Sequence, residues 1–455
     1  MLVRVLFQNF LSYYEGVEFN MLPNPKRTRF KEHIYNTSNP AVLKVSAIYG
    51  ANGAGKSNIL KGFEILRSLV LDKSYMSTED VYNNYRFLLA DDTSNKPISI
   101  GVEFSNNGKT FYYRIDIQDN LITLEELYIF NTEINKEVPI YISKYENGQQ
   151  NLKVYDSHGI ENTEYVDTKT TSLLSKNPTS SILALQNEFP IILNDDVNIA
   201  FNWFHKKLVI LPLTTDTRKL IERFDRYNEL LQYINKQISS MSIGIKSIDI
   251  KTYSLADVFA NKVEKNEAMR SEILKELQGD KYNTFLKLKR NRPLFSVTKD
   301  NNGQDIVKEL VFTQQGVSGY ECDMNIDSQS EGTLSLISKL PFLFRLSKRD
   351  VVVLVDELES SLHPQLIERF LKLFLDDNNS KGQLVFTTHE VHLLDQHNLL
   401  RADEVWFAEK HQGQTKLYSL NDFKEHNTIN IAKGYLAGRY GAIPFFGESN
   451  LLSEQ

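Results

Sequence analysis

The run Gly50-Ala51-Asn52-Gly53-Ala54-Gly55-Lys56-Ser57 has glycines, a lysine and a serine at the spacing G-x-x-x-x-G-K-[ST]. Glycines so placed let successive backbone N–H groups turn toward one point, which makes a cradle for an anion. A lysine at the end of the cradle is a point charge able to sit between the β- and γ-phosphates of a nucleotide. The serine hydroxyl suits Mg²⁺. Asn52, Gly53, Ala54, Gly55, Lys56 and Ser57 are therefore the candidate contacts to ATP, with Ser57 also a candidate ligand of Mg²⁺.

Asp356 and Glu357 follow the apolar run Val351-Val352-Val353-Leu354-Val355. An acid at the end of a buried strand costs desolvation unless a metal or hydrogen bonds compensate it. Asp356 is expected to hold Mg²⁺ through a water, and Glu357 to orient or activate the attacking water. His389 closes the run Gln383-Leu384-Val385-Phe386-Thr387-Thr388 and is placed to hydrogen-bond the γ-phosphate. Glu357, His389 and Lys56 form the candidate catalytic set. Ser328-Gln329-Ser330-Glu331-Gly332-Thr333 precedes a helical pattern. Ser330 or Ser328 can cap that helix, and a Ser-x-Gly turn at a helix N-terminus also binds phosphate.

These residues need elements to hold them. Leu43 to Tyr49 reads as a buried strand. Ile59 to Leu71 reads as a helix, with Leu60, Phe63, Ile65, Leu66 and Leu69 at helical spacings. Strand, glycine loop and helix are the setting a phosphate loop requires. Val351–Val355 and Gln383–Thr387 read as further strands, Glu331–Leu346 and Leu366–Leu375 as helices. Val405–Glu409 and Thr415–Ser419 read as a hairpin. Between Ile98 and Tyr145, short alternating runs broken by Ser105-Asn106-Asn107-Gly108-Lys109 predict an antiparallel sheet. Asn147 to Asn177 is polar and weakly patterned. Lys219–Ile238 and Val263–Leu288 are charged and helical in character, and predict a helical insertion with Ile243 to Ile250 between them. It is too short for a long coiled-coil arm.

The formal net charge of -6 argues against a global electrostatic hold on DNA. It leaves room for local patches at Lys26–Lys31 and Lys287–Arg292. A single cysteine, Cys322, excludes an intrachain disulfide framework and a cysteine-built zinc site. No run of about 18 apolar residues predicts a membrane span. The opening residues alternate like a strand and lack a signal-peptide pattern, so a cytoplasmic protein is expected.

Taken together, these runs resemble an ABC-type ATPase of the SMC, RecF and overcoming-lysogenization-defect group. In that resemblance Gly50–Ser57 stands for the Walker A and Gln329–Thr333 for the signature. Val351–Glu357 stands for the Walker B, Ser361-Leu362-His363 for the D-loop, and His389 for the switch histidine. Phe7-Gln8-Asn9-Phe10 resembles the run that opens these proteins, and Gln186 is a candidate Q-loop glutamine. Glu331, Thr333 and His363 depart from the usual pattern. The resemblance implies an α/β fold: an ABC-type P-loop ATPase core with a flanking antiparallel sheet and a helical insertion. The expected division is 1–200 and 306–455 for the core, with 201–305 as the insertion. It also implies a head-to-tail homodimer, or a larger assembly of such dimers, in which Ser330 and Gly332 of one copy complete the ATP site of the other.

The run Asp356-Glu357-Leu358-Glu359-Ser360-Ser361-Leu362-His363-Pro364 and the tail Gly438–Phe445 further resemble the stand-alone ATPases of phage-defence operons. These are the abortive-infection AbiL and RloA type and AriA of PARIS systems. That resemblance implies a separately encoded effector, often a Toprim-type nuclease. The stretch after His389 is short for a fused Toprim domain, which needs roughly a hundred residues. The expected function is thus an ATPase that senses infection and controls a toxic effector. The alternative is a DNA-repair or chromosome ATPase acting directly on DNA. The tail run from Tyr435 to Phe446 is too apolar to be free and is expected to dock, on its own core or on a partner.

Overall fold

The computed structural model describes residues 1–36, 39–162, 168–185, 195–211, 218–241, 243–261, 271, 284–289, 292–300, 302–394, 399–423 and 430–443. The chain divides into two compact units. The first comprises Met1–Pro212, Leu346–Leu358 and Leu371–Gln455, the second Leu213–Arg345 and Glu359–Phe370.

The first unit is built on two sheets. One has six strands in the order Leu208–Leu211, Val352–Val355, Gln383–Thr388, Val45–Tyr49, Val405–His411, Gln414–Ser419. The first five run parallel and the last is antiparallel. The Val45–Tyr49 and Val352–Val355 strands are buried at every residue, as parallel strands covered on both faces must be. The other sheet has seven antiparallel strands, running from Gln149–Val154 through Lys136–Glu146, Leu121–Asn131, Lys109–Gln118, Ile98–Asn106 and Leu2–Gln8 to Val17–Asn20. The expected antiparallel region is present and extends further, because Gln149–Val154 adds a strand in the segment that reads as polar and unpatterned. The hairpin at Ser105–Lys109 turns through Asn107 and Gly108, both at positive φ.

The helix Lys56–Leu71 buries Ile59, Leu60, Phe63, Ile65, Leu66 and Leu69 in the core of this unit. Gly62 faces Phe7 of the antiparallel sheet so closely that an added Cβ would lie 2.1 Å from the ring. Gln383, fully buried, joins the two sheets. Its side chain accepts from Leu2 N at 2.5 Å and donates to Leu2 O at 3.1 Å and Leu43 O at 2.9 Å.

The second unit carries the expected helices, Arg218–Arg226 and Asn228–Ser239. It also contains a five-stranded antiparallel sheet made of Ile245–Ser254, Thr284–Lys289, Arg292–Lys299, Asp305–Gln315 and Glu321–Asn325. This corrects the end of the helix read over Val263–Leu288, while Ser271 within it is helical. Thr284–Lys289 is a strand that pairs with Arg292–Lys299, while 262–270 and 272–283 lie outside the described residues. Ile245, Ile248 and Ile250 likewise sit on a strand, paired with Asp305–Gln315. A register shift between Ile245 and Ser247 breaks the alternation of these isoleucines, which hides the period-2 pattern in the sequence. The helix Glu331–Lys348 follows the last strand.

Among the described residues no helix is long and apolar enough to cross a membrane. The tail docks on its own core as far as it is described. Tyr435 and Tyr440 stack on Phe407, with ring centroids 5.5 and 5.8 Å away. Tyr418 Oη donates to Tyr440 O at 2.7 Å. Pro444, Phe445 and Phe446 lie outside the described residues.

Candidate functional site

The loop Gly50–Gly55 leaves the central strand Val45–Tyr49 and enters the helix that starts at Lys56. Gly53 and Gly55 have φ of +74° and +97°, conformations that any side chain would strain. At Gly55 there is no room for one either, since a Cβ would lie 2.4 Å from Thr415 Oγ1 and 2.6 Å from Ser12 Oγ. Those hydroxyls brace the loop. Thr415 Oγ1 donates to Ala54 O at 2.8 Å, Tyr13 Oη donates to Gly55 O at 2.8 Å, and Asn58 Nδ2 donates to Ser12 Oγ at 2.7 Å. Burial pushes the Tyr13 phenol well above its usual range, so it remains a donor. The brace is set by the tight turn after the first strand. There Asn9, at φ +51°, donates from its amide to Thr93 O and Lys96 O at 3.1 and 2.8 Å. Asparagine tolerates this left-handed backbone better than most residues, which gives the Phe7–Phe10 run a physical reason.

Lys56 Nζ donates to Gly50 O and Ala51 O at 2.8 and 3.1 Å and lies 3.1 Å from His389 Nε2. Ser57 Oγ donates to Asp356 Oδ1 at 3.0 Å. Thr387 Oγ1 donates to the same carboxylate oxygen and accepts from Glu357 N at 2.8 Å. Thr387 O accepts from Leu358 N at 3.1 Å. Glu357 has φ +47°, a left-handed conformation that costs a non-glycine residue about 1 kcal/mol or more. Two bonds to Thr387 flank it. The strands ending in Tyr49, Val355 and Thr388 are neighbours, so Lys56, Ser57, Asp356, Glu357 and His389 meet at one end of the parallel sheet. Asn52 and Gly53 are exposed on the loop, and Ala54 is buried beneath it. Gln186 lies outside the described residues.

In the second unit, Ser330 caps the helix Glu331–Lys348. Its Oγ accepts from Thr333 N at 3.1 Å and shares a hydrogen bond with Thr333 Oγ1 at 2.8 Å. Ser328 instead bonds back to Asn325. Gly332 lies in the first turn of the helix, against the carbonyl of Ser361. Ser330 is exposed, and Gly332 is half-buried.

A family model described as "AAA domain, putative AbiEii toxin, Type IV TA system" matches residues 45–395. The chain belongs to this family. The match takes in every candidate site residue from Asn52 to His389, and the mixed α/β architecture with its P-loop sheet core is that of an ABC/AAA-type ATPase. The AbiEii-type AAA domain is an ATP-binding domain. No curated protein matches the chain significantly. Solved structures similar to it include an SMC head bound to the C-winged-helix domain of ScpA. That structure is 12% identical over 92% of this chain and 97% of that chain, with a TM-score of 0.42. The SMC head domain of Thermotoga maritima is 12% identical over 92% and 98% of the two chains, with a TM-score of 0.39. An SMC head with an extended coiled coil, bound to the C-terminal domain of ScpA from Pyrococcus furiosus, is 13% identical over 92% and 96%, with a TM-score of 0.35.

Three residues around the phosphate loop escape the sequence patterns. Ser12 and Thr415 are remote in sequence from the loop they brace. Thr387 shares its strand with Gln383 and Thr388, so polarity alone does not single it out; its role comes from the register with Val352–Val355, the strand that leads into Asp356 and Glu357.

Proposed function

We propose that the chain is an ABC-type, Mg²⁺-dependent ATPase of the cytoplasm that works as a homodimer with composite sites. We further propose that it is a stand-alone defence ATPase of the AbiL, RloA and AriA kind. Its ATP cycle would control a separately encoded toxic effector, a nuclease of the Toprim type, during phage infection. The observation that carries the enzymatic part is the convergence of Lys56, Ser57, Asp356, Glu357 and His389 at one sheet end.

In this reading Asn52–Ser57 wrap the phosphates, and Lys56 and His389 attend the γ-phosphate. Ser57 and Asp356 suit Mg²⁺, because a hydroxyl and a carboxylate 3.0 Å apart are hard oxygen donors. Mg²⁺ takes few protein ligands when phosphates supply the rest. The bound ion would neutralise charge on the β- and γ-phosphate oxygens. Glu357 orients the attacking water and takes its proton. Ser330 and Gly332 of the second copy close the site through the N-terminus of their helix. The family description, which names a toxin and a toxin–antitoxin system, supports the defence role.

Glu357→Gln tests both halves. It should bind ATP as wild type does and hydrolyse it at least about 100-fold more slowly, the worth of a general base. Lys56→Ala should lose binding or hydrolysis altogether. Pull-downs from native cells with Glu357→Gln should then recover one small partner, encoded next door, in amounts set by nucleotide. Full turnover by Glu357→Gln removes the catalytic assignment, and recovery of DNA alone removes the effector.

Direct action on DNA is the second reading. One observation favours it: Lys26, Arg29 and Lys31 are exposed on a loop pinned from below by the buried Arg401. The Arg401 guanidinium donates to Arg29 O at 2.5 Å and to Arg27 O at 3.4 Å.

A further inference from the structure

Residues 331–345 of the helix Glu331–Lys348 and the turn at Glu359–Leu362 belong to the same unit. One stripe of the helix holds the turn. Gly332, Ser335 and Lys339 recur at i, i+3 and i+7, the spacing of a single helical face. At Gly332 a Cβ would lie 2.8 Å from Ser361 O, so only glycine lets the two backbones come so near. One turn further, the buried Ser335 donates from Oγ to Ser360 O at 2.8 Å. One turn beyond that, Lys339 Nζ donates to Ser335 Oγ at 2.6 Å. Burial pushes Lys339 down to about 8, against the pull of the Glu359 carboxylate. A partly buried ammonium is a costly way to fill a helix face, and an apolar side chain would cost less. What Lys339 adds is a charge facing Glu359 and a proton for Ser335. The turn needs holding, since Ser361 has φ +60°, while Leu362 N, donating to Glu359 O at 2.7 Å, closes it from within.

We propose that Ser335 and Lys339 are positioning residues that lock the Glu359–Leu362 turn to the helix capped by Ser330, so that helix and turn respond as one body when Ser330 and Gly332 grip a nucleotide. The link to hydrolysis rests on the composite-site reading given above. The lock itself does not. Neither side chain is expected to touch nucleotide. Each acts through the backbone of the turn that begins two residues after Glu357.

The test is amide hydrogen exchange on the full chain, paired with steady-state hydrolysis. In Ser335→Ala and Lys339→Met, the Ser361 and Leu362 amides should exchange about three- to tenfold faster, the worth of one hydrogen bond. Amides of the Val352–Val355 strand should not change. Lys339→Met keeps the stem and its packing, so it serves where Ser335→Ala folds poorly. Lys339→Arg and Ser335→Thr should restore protection. In hydrolysis the two disabling variants should lose kcat while KM stays within about twofold, the pattern of a group that acts on the reacting state alone. Unchanged exchange in the turn overturns the lock. Acceleration spread evenly over the whole second unit overturns it too, because that is general loosening. A wild-type chain that hydrolyses no ATP sinks the ATPase reading, and the exchange data still decide the lock.

Discussion

At the scale of single residues, Thr387 is the one whose removal is most informative. Its hydroxyl binds Asp356 on one side and the Glu357 amide on the other. Valine has nearly the same shape, so Thr387→Val replaces the hydroxyl by a methyl and deletes the two bonds with little change in volume. The expected result is a kcat for ATP hydrolysis lowered about 10- to 100-fold, the usual cost of losing a group that orients a metal ligand. Stability to denaturant should fall by roughly 1–3 kcal/mol, because Asp356 Oδ1 and the Glu357 amide each lose a hydrogen-bond partner. Thr387→Ser should recover most of the rate. Wild-type kcat in Thr387→Val would mean that Glu357 keeps its left-handed backbone without this support. The residues that meet at the end of the parallel sheet were marked out in the sequence by short contiguous spacings. Thr387 was not, because its role depends on strand register, which only the neighbouring strand reveals.

At the scale of elements, Gly62 marks where the phosphate-loop helix meets the antiparallel sheet. The Phe7 ring is itself stacked against Phe10 and Tyr13, each with its centroid 5.5 Å away, which restrains its movement. Gly62→Ala gains about 1 kcal/mol of helix propensity and forces a methyl into that ring. Overpacking of this kind costs roughly 1–3 kcal/mol. A net lower denaturation midpoint is expected, and a raised one would show that ring and helix can separate freely. The elements around the phosphate loop were readable because strong apolar runs alternate there with glycine and charge. The sheet of the second unit was not. Ile245–Ser254 buries Ile245 and Ile248, on either side of a register shift, and sets Lys, Ser and Asp between its isoleucines, so a broken period-2 signal competes with a charge content typical of surface helices. Leu208–Leu211 was overlooked as a strand because four apolar residues after two lysines are too few to distinguish from a helix end.

At the scale of the whole molecule, the prediction is assembly in pairs. A Lys56→Ala chain and a Ser330→Arg chain should each be inactive alone. Mixed, they should recover part of the wild-type rate, because one site of a mixed dimer keeps both its phosphate loop and its capped helix. A mixture that forms mixed dimers and stays as inactive as its parents would leave no room for composite sites. The same material separates the two functional readings. Binding to duplex DNA through the Lys26–Lys31 loop would weaken steeply as salt rises, whereas control of a protein effector would follow nucleotide state.

The central strand Val45–Tyr49 has one further consequence. Both of its neighbours, Gln383–Thr388 and Val405–His411, come from far later in the chain. During synthesis the phosphate loop is therefore made early and left without walls until residues beyond 400 have emerged. Gln383 adds to the delay, since it fastens the second residue of the chain to the parallel sheet. Pairings so distant in sequence form slowly and leave apolar strands uncovered meanwhile. A ribosome-bound fragment ending before Gln383 holds a complete phosphate-loop motif but neither strand that flanks Val45–Tyr49, so its sheet cannot close until both have been made.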